Sequence, residues 1–445
     1  MAGCPHHARP ASRSESHGID LGADDPLSNG GNVVVIFAGA EVRGDNVGVK
    51  FDNSGNSLTV SGLVYGGTDA VFVEGSNNVI RFTEGAKIIG DLAASADVTD
   101  NILRFDLGST QSYFFETSGE WTLEDLDGRP VVEGSAMAAG IGNVETADEL
   151  MLDRAINLRH SLDRLQKQAL FGPREAFLDT YGASTSRTED GTTSSFELVS
   201  QGMTVGAPVV IMGREVFPFL NYHYADLNIA DGIHDIAAQS LRIGVSVPEM
   251  WSRDHYAVGG YAVAGRNTYD GTREVLVNQD TTTGTTTVDA SWDGTEIELG
   301  LDASVEDALT SKLSFKANLG FAAQVERTGS YSEQEYFAWD SRTIIQSHVR
   351  ANASLEYKVS NDTGFYGTLG AWRRDVEGGK TADYTIENTS VNYTGGIYDE
   401  TVASLRLGIR HRVADGVALS VEVLGGSSTA SDRTVGASFG VSAQF

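Results

Sequence analysis

Nine histidines and one cysteine set the nucleophilic and metal chemistry open to this chain, and their positions restrict it sharply. The histidines are His6, His7, His17, His160, His223, His234, His255, His348 and His411; the cysteine is Cys4. A hydroxyl or thiol nucleophile needs a base within hydrogen-bond reach, and a zinc-type site needs several imidazole or thiolate ligands. Residues 32–135 hold neither histidine nor cysteine. That segment can host no Ser-His or Cys-His nucleophile and no histidine-based metal site. Later in the chain, a His-x-Ser pair on one strand would signal lipid-ester hydrolysis. The residues two beyond the last five histidines are Ala225, Ile236, Ala257, Arg350 and Val413, so the pair is absent. No catalytic, cofactor-binding or metal-ligating residue is assigned, and the chain reads as a non-enzyme. A single cysteine also excludes a disulfide framework.

Two groups of side chains remain as candidates for binding. Arg43-Gly44-Asp45 spells a receptor-binding tripeptide, although a Gly-Asp turn beside a strand explains it more simply. Further on, Arg350, Lys358, Arg406, Arg410 and Arg412 alternate with apolar residues, as do Glu296, Glu298, Asp302 and Glu306 on an earlier segment. These rows face one side of their strands. They fit mutual ion pairs across an interior and a clasp on a charged helix equally well. The formal charge of −29 argues against nucleic acid as a partner, since polyanions need a basic surface.

That helix is expected over residues 145–169. Thr146-Ala147-Asp148-Glu149 fits a capping box, acids come early (Glu145, Asp148, Glu149, Asp153) and bases late (Arg159, Arg164, Lys167). Met151, Ala155, Leu158, Leu162, Leu165 and Ala169 form one narrow apolar stripe, and Gly172-Pro173 ends it. At 1.5 Å per residue the helix runs roughly 37 Å, about a bilayer thickness. If it threads an interior, its acids (Asp153 among them) are expected to meet Arg350, Arg406 and Arg410.

The elements around it are strands. The chain ends on Thr434 to Phe445, where Val435, Ala437, Phe439, Val441, Ala443 and Phe445 point one way and small polar residues the other. Similar alternation recurs in about twelve segments, near 174–188, 192–205, 207–226, 233–248, 252–269, 285–305, 310–328, 341–359, 363–376, 393–413, 416–427 and 432–445. No run approaches the roughly 18 apolar residues of a spanning helix, so only a closed barrel of strands could cross a membrane. Short turns (360–362, 414–416) are set against long loops (270–284, 329–340, 377–392). Upstream, Asn78-Val79-Ile80-Arg81-Phe82 returns as Asn101-Ile102-Leu103-Arg104-Phe105, and Asn56-Ser57-Leu58-Thr59-Val60 precedes the first copy. Gly44 to Val49 aligns loosely with Gly67 to Phe72. A period in that range means a solenoid, here a right-handed parallel β-helix with an asparagine ladder at its turns and Trp121-Thr122-Leu123 as a closing rung. Residues 1–31 lack an apolar core for a secretory signal and read as a disordered tail, with a truncated or misassigned start.

β-helix, helix, then a barrel ending on an aromatic: this order resembles the type V autotransporters of Gram-negative bacteria. Glu215-Val216-Phe217-Pro218-Phe219-Leu220-Asn221-Tyr222 is similar to the family's Pro-aromatic strand, and Gly259-Gly260-Tyr261 with Tyr269-Asp270-Gly271 resembles its next hairpin. The resemblance covers residues 32–445. It implies a tail at 1–31, a β-helical passenger at 32–142, a pore or linker helix at 143–172 and a 12-stranded antiparallel transmembrane barrel at 173–445. It further implies an outer-membrane translocator that shows a short, non-enzymatic, adhesin-like passenger at the cell surface. Its partners would be outer-membrane lipid, the barrel-assembly machinery and a host or cell-surface receptor. Phe439, Val441, Ala443 and Phe445 would carry the insertion signal. The passenger is short for the family, and the helix lacks the Asn-Asn pair at which some members cleave it off. The alternative is an outer-membrane channel with a periplasmic N-terminal domain.

Overall fold

The computed structural model describes residues 6–7, 13–14, 17–21, 30–132, 134–168, 176–189, 193–395 and 399–443. Side chains at 6–7, 13–14, 143, 145–147, 165–168 and 231 are left aside. Phe445, the helix stop at Gly172-Pro173, most of the 1–31 tail and the Thr146 end of the capping box therefore lie outside the described residues.

The repeats stack as a parallel β-solenoid. Val33–Ile36, Ser57–Val60, Val79–Thr83, Ile102–Asp106 and Thr122–Asp125 pair in that order, with Leu58 opposite Ile80 and Ile80 opposite Leu103. Because strand side chains alternate in direction, the inward rows Val34-Leu58-Ile80-Leu103 and Ile36-Val60-Phe82-Phe105 superpose rung on rung and are fully buried. The asparagines before each strand form the expected ladder. Asn56 Nδ2 donates to Asn78 Oδ1 at 3.0 Å, and Asn78 Nδ2 donates to Asn101 Oδ1 at 3.2 Å. A second sheet runs through Glu41–Gly44, Leu63–Val73, Lys87–Ala94 and Thr117–Ser118. There the loose alignment of Gly44 with Gly67 was one residue long, since Gly44 pairs with Gly66. Part of the expected tail is also structured: His17–Leu21 pairs in parallel with Val47–Phe51, because that strand offers a free edge.

Twelve antiparallel strands form the second part. They are Ala176–Arg187, Phe196–Gly206, Arg214–Ile229, His234–Arg253, Tyr256–Val277, Thr285–Ala308, Leu313–Thr328, Arg342–Lys358, Thr363–Gly378, Asp399–Ala414, Val417–Ser428 and Arg433–Ala443. The first closes on the last, with Leu178 opposite Val441 and Thr180 opposite Phe439. Burial is the inverse of a water-soluble core. Ile243 and Leu369 face outward at 67% and 64% exposure, whereas Arg242, Glu296, Arg350 and Arg406 face inward and are buried. An apolar wall around a charged interior suits lipid outside and a polar lumen inside. No described helix is long and apolar enough to cross a membrane; here strands do so.

Leu319 sits within that outer belt between Ala303 and Ala351. Leu319→Arg should cost about 2–4 kcal/mol in urea unfolding from lipid vesicles, the range for a cation at mid-bilayer depth. A cost below about 0.5 kcal/mol, typical of water-exposed sites, would remove Leu319 from the lipid belt.

The long loops are not irregular. Residues 331–333 and 337–339 pair with 381–386 and 389–394 in a four-stranded sheet over one barrel mouth. Two short hairpins, each too small to hold alone, stabilise each other through Phe337, Trp339, Tyr384 and Ile386.

Candidate functional site

The helix Gly142–Gln168 occupies the lumen, and its described side chains from Asp148 to Arg164 are almost all buried. Two apolar clusters fix its phase. Leu150 packs with Phe196, Leu198, Leu227, Ile229, Ile236 and Tyr269 near the mouth under the small sheet. Leu158 and Leu162 pack with Phe177, Phe217, Phe219, Tyr261 and Val263 toward the other end. The Pro-aromatic strand therefore serves the helix: Phe217 and Phe219 point inward on either side of Pro218.

With the phase set, the described acids and arginines of the helix other than Asp153 each meet an opposite charge on the wall. Its acids face a basic side. Asp148 lies 3.3 Å from Arg342, Glu149 lies 3.0 Å from both Arg187 and Arg374, and Asp163 lies 2.8 Å from Arg350 and 3.2 Å from Arg406. Its bases face an acidic side. Arg154 pairs with Glu326 and, at 3.3 Å, Glu296; Arg159 pairs with Asp302; Arg164 pairs with Asp179 at 2.5 Å and Glu422 at 2.8 Å. Buried pairs of this kind add little net stability over apolar packing, but removing one partner leaves an uncompensated charge. They are better at specifying one seating of the helix than at adding stability.

Of the residues expected to clasp the helix, Arg350 and Arg406 do so, through Asp163. Asp153 does not meet the arginines. It lies 3.3 Å from His223 and accepts a hydrogen bond from Asn157 at 2.9 Å, because the apolar clusters turn it toward the second and third strands. Arg410 donates to Ser442 at 3.4 Å rather than to any described helix acid, since it stands beyond Asp163 toward the short turns. Arg154 and Asp163 were not named from the sequence, and Glu149, Arg159 and Arg164 were named only for the helix cap and dipole; nor were the wall residues Arg187, Arg242, Glu326, Asp179 and Glu422 singled out. Strand alternation places each of these wall residues inward and could have found them.

At the mouth the solenoid joins the barrel through backbone pairing. Ser112–Phe114 adds in parallel to Val275–Val277, the upper end of a 22-residue strand that outreaches most of its neighbours. Ala136–Ala138 pairs with the other edge of Tyr113–Phe115. Asn278 enters the second solenoid sheet: its Nδ2 donates to Glu116 O at 2.9 Å and Gly90 O at 3.1 Å, and its Oδ1 accepts from Glu116 N at 2.9 Å. Arg273 donates to Ser112 Oγ at 3.0 Å and Gly140 O at 2.8 Å. The connecting segment is exposed at Leu126, Gly128 and Gly134 and becomes enclosed from Ala136 to Gly142, where every residue is buried; Arg129 and Val132 are buried within the earlier part. Tyr113 donates to Asp125 at 2.9 Å, and burial beside that carboxylate pushes its phenol well up.

Arg43 and Gly44 end a solenoid strand rather than crown a loop. Arg43 donates to Glu41 at 3.0 Å and lies over the Tyr65 ring at 5.3 Å. A Cβ on Gly44 would fall 1.8 Å from the Val47 carbonyl oxygen, and Gly66, one rung on, meets Asp69 in the same way. This glycine is a stacked bend of the repeat. Phe439 is outward and half-exposed, with Val441 and Ala443 following on the same row.

The family model described as Autotransporter beta-domain matches residues 176–423, more than half of the chain. No curated protein matches it in sequence. Among solved structures, the translocator domain of autotransporter NalP from Neisseria meningitidis is similar at TM-score 0.52 and 13% identity, over 67% of this chain and 98% of that one. The beta domain of the Bordetella autotransporter Brka gives 0.43 at 12% identity, over 61% and 99%. The transport unit of AIDA-I from Escherichia coli gives 0.43 at 9%, over 61% and 91%.

Proposed function

This chain belongs to the autotransporter family, and from that membership we propose that it holds its small solenoid at the cell surface as a permanent, non-enzymatic fixture. Its barrel is an outer-membrane translocator. The observation that supports retention is the junction. Ser112–Phe114, which precedes the closing rung of the solenoid, pairs with a barrel strand, Asn278 satisfies three backbone groups of the solenoid, and residues 136–142 leading into the helix are buried. The helix also lacks the Asn-Asn pair at which some members of the family are cleaved. The solenoid acts by presenting a surface, in the manner of an adhesin, to a receptor on another cell; Arg43-Gly44-Asp45 contributes its exposed Asp45 at most. Insertion proceeds through the barrel-assembly machinery, which reads the outward row Phe439, Val441 and Ala443.

Glu84 is an exposed turn residue of the solenoid. In a Cys4→Ser background, Glu84→Cys on intact cells should react with a membrane-impermeant maleimide. The label should run with the full-length, membrane-associated chain. Label on a shed fragment would refute retention, and labelling only after the cells are opened would refute display and favour a periplasmic domain.

A further inference from the structure

At the mouth of the lumen, five buried charges from five elements crowd together. Glu149 comes from the helix, Arg187 from the first strand, Arg374 from the ninth, Glu400 from the tenth and Asp432 from the turn before the last. Oxygens of the three carboxylates all lie within 4.8 Å of one another. Two guanidiniums serve them. Arg187 engages both oxygens of Asp432, at 2.6 and 3.1 Å, and reaches Glu149 Oε1 at 3.0 Å. Arg374 reaches the same Glu149 oxygen at 3.0 Å and stands 2.9 Å from Glu400 Oε2. Three acids against two bases leave one negative charge in excess, out of water. The excess falls on Glu400, whose two oxygens accept no hydrogen bond from any described residue.

A divalent metal ion fits this arrangement poorly. Both Asp432 oxygens and one of Glu149 are already committed to guanidiniums, which would repel it at contact distance. One proton balances the charge and supplies the missing donor, as in paired carboxyls that cannot both ionise. We propose that Glu400 and Asp432 share a proton that latches the upper turn of the helix to the wall, and that losing it loosens the plug. The proposal rests on the reading of the helix as a plug.

Glu400 stands above the lipid belt, since its strand neighbours Asp399 and Thr401 face outward and the first outward apolar residue is Ala403. Burial first, then Glu149 and the contact with Asp432, push its carboxyl up to about 8, against the pull of Arg374. A carboxyl raised in this way contributes stability that is fully present below its ordinary value of 4.5 and is lost as pH rises through about 8. The ionised form sets an unbalanced charge against Glu149, near Asp148 on the same turn. Arg342 and His348 on the eighth strand also stand beside this end of the lumen, and Asp153 and His160 of the helix line the cavity next to it. Alongside lies a small cavity of about 50 Å³, lined by Leu152, Ile156, Trp372, Val402 and Leu424.

The test uses the full chain in planar bilayers at about pH 6 and about pH 9.5, on either side of the transition. Wild-type protein should show low conductance at the lower pH and a rise in open probability of roughly threefold or more at the higher, while Glu400→Gln stays closed at both. Hydrogen exchange of helix amides 149–157, corrected for the intrinsic pH dependence, reads the same transition on wild-type protein alone, should the variant not assemble. Helix amides protected equally at both values would overturn the latch alone, as would a rise that persists in Glu400→Gln. Helix amides exchanging like exposed turns at the lower pH would overturn the plug and the latch with it. A profile shifted by added calcium in wild-type protein but not in Glu400→Gln would make this a metal site and overturn the proton.

Discussion

Asp163→Ala is expected to be the most destabilising single change in the lumen, at about 3–5 kcal/mol, the usual penalty for removing one partner of a buried ion pair. Asp163 is the point where Arg350 and Arg406 converge, and Arg159 lies 3.5 Å away on the same helix. Without its carboxylate, Arg406 has no acidic partner among the described residues, and Arg350 and Arg159 must share Asp302. The measurement is the urea midpoint of the shift in gel mobility that marks barrel unfolding. Arg406→Met placed on Asp163→Ala should recover part of the loss, because it removes a stranded charge rather than a contact. Asp153→Ala, which uncovers the uncharged groups of His223, Asn157 and Ser200, should cost far less. Equal costs at the two positions would mean that the ion pairs do not seat the helix.

The contrast between these two acids marks where sequence reasoning ran out. The helix, its approximate bounds and its apolar stripe follow from residue spacing alone, as do the inward rows of Arg350, Arg406, Glu296 and Asp302. Which helix acid meets which arginine depends on rotation about the helix axis. That rotation is set by Leu150, Leu158 and Leu162 against wall aromatics contributed by several distant strands, and no local pattern encodes it. The strands and their order were legible because every membrane strand must alternate. The solenoid rungs were legible because each repeats the last, apart from the second sheet, where a weak echo placed Gly44 one residue out of register. The small sheet at the mouth was not legible. Its strands are 3 to 6 residues long and gain their stability from one another across about 50 residues of chain. Asn278 was equally hidden. In sequence it is one polar residue at a strand end; in the fold it completes the hydrogen bonding of another domain.

Removing residues 1–168 tests the central claim most directly, namely that a charge-matched helix closes a membrane barrel from within. The helix fills the lumen from the mouth near Leu150 to the far end near Leu162, and its departure leaves Arg187, Arg350, Arg374 and Arg406 facing Glu296, Glu326 and Glu422 across open space. These charges are affordable in water, so the wall should stay closed as a barrel and fill with solvent. Single-channel conductance in planar bilayers should rise severalfold over that of the full chain at the same salt concentration and at about pH 6, where the latch is closed. Conductance unchanged by the removal would contradict the account, because it would mean that the helix does not occupy the conducting path.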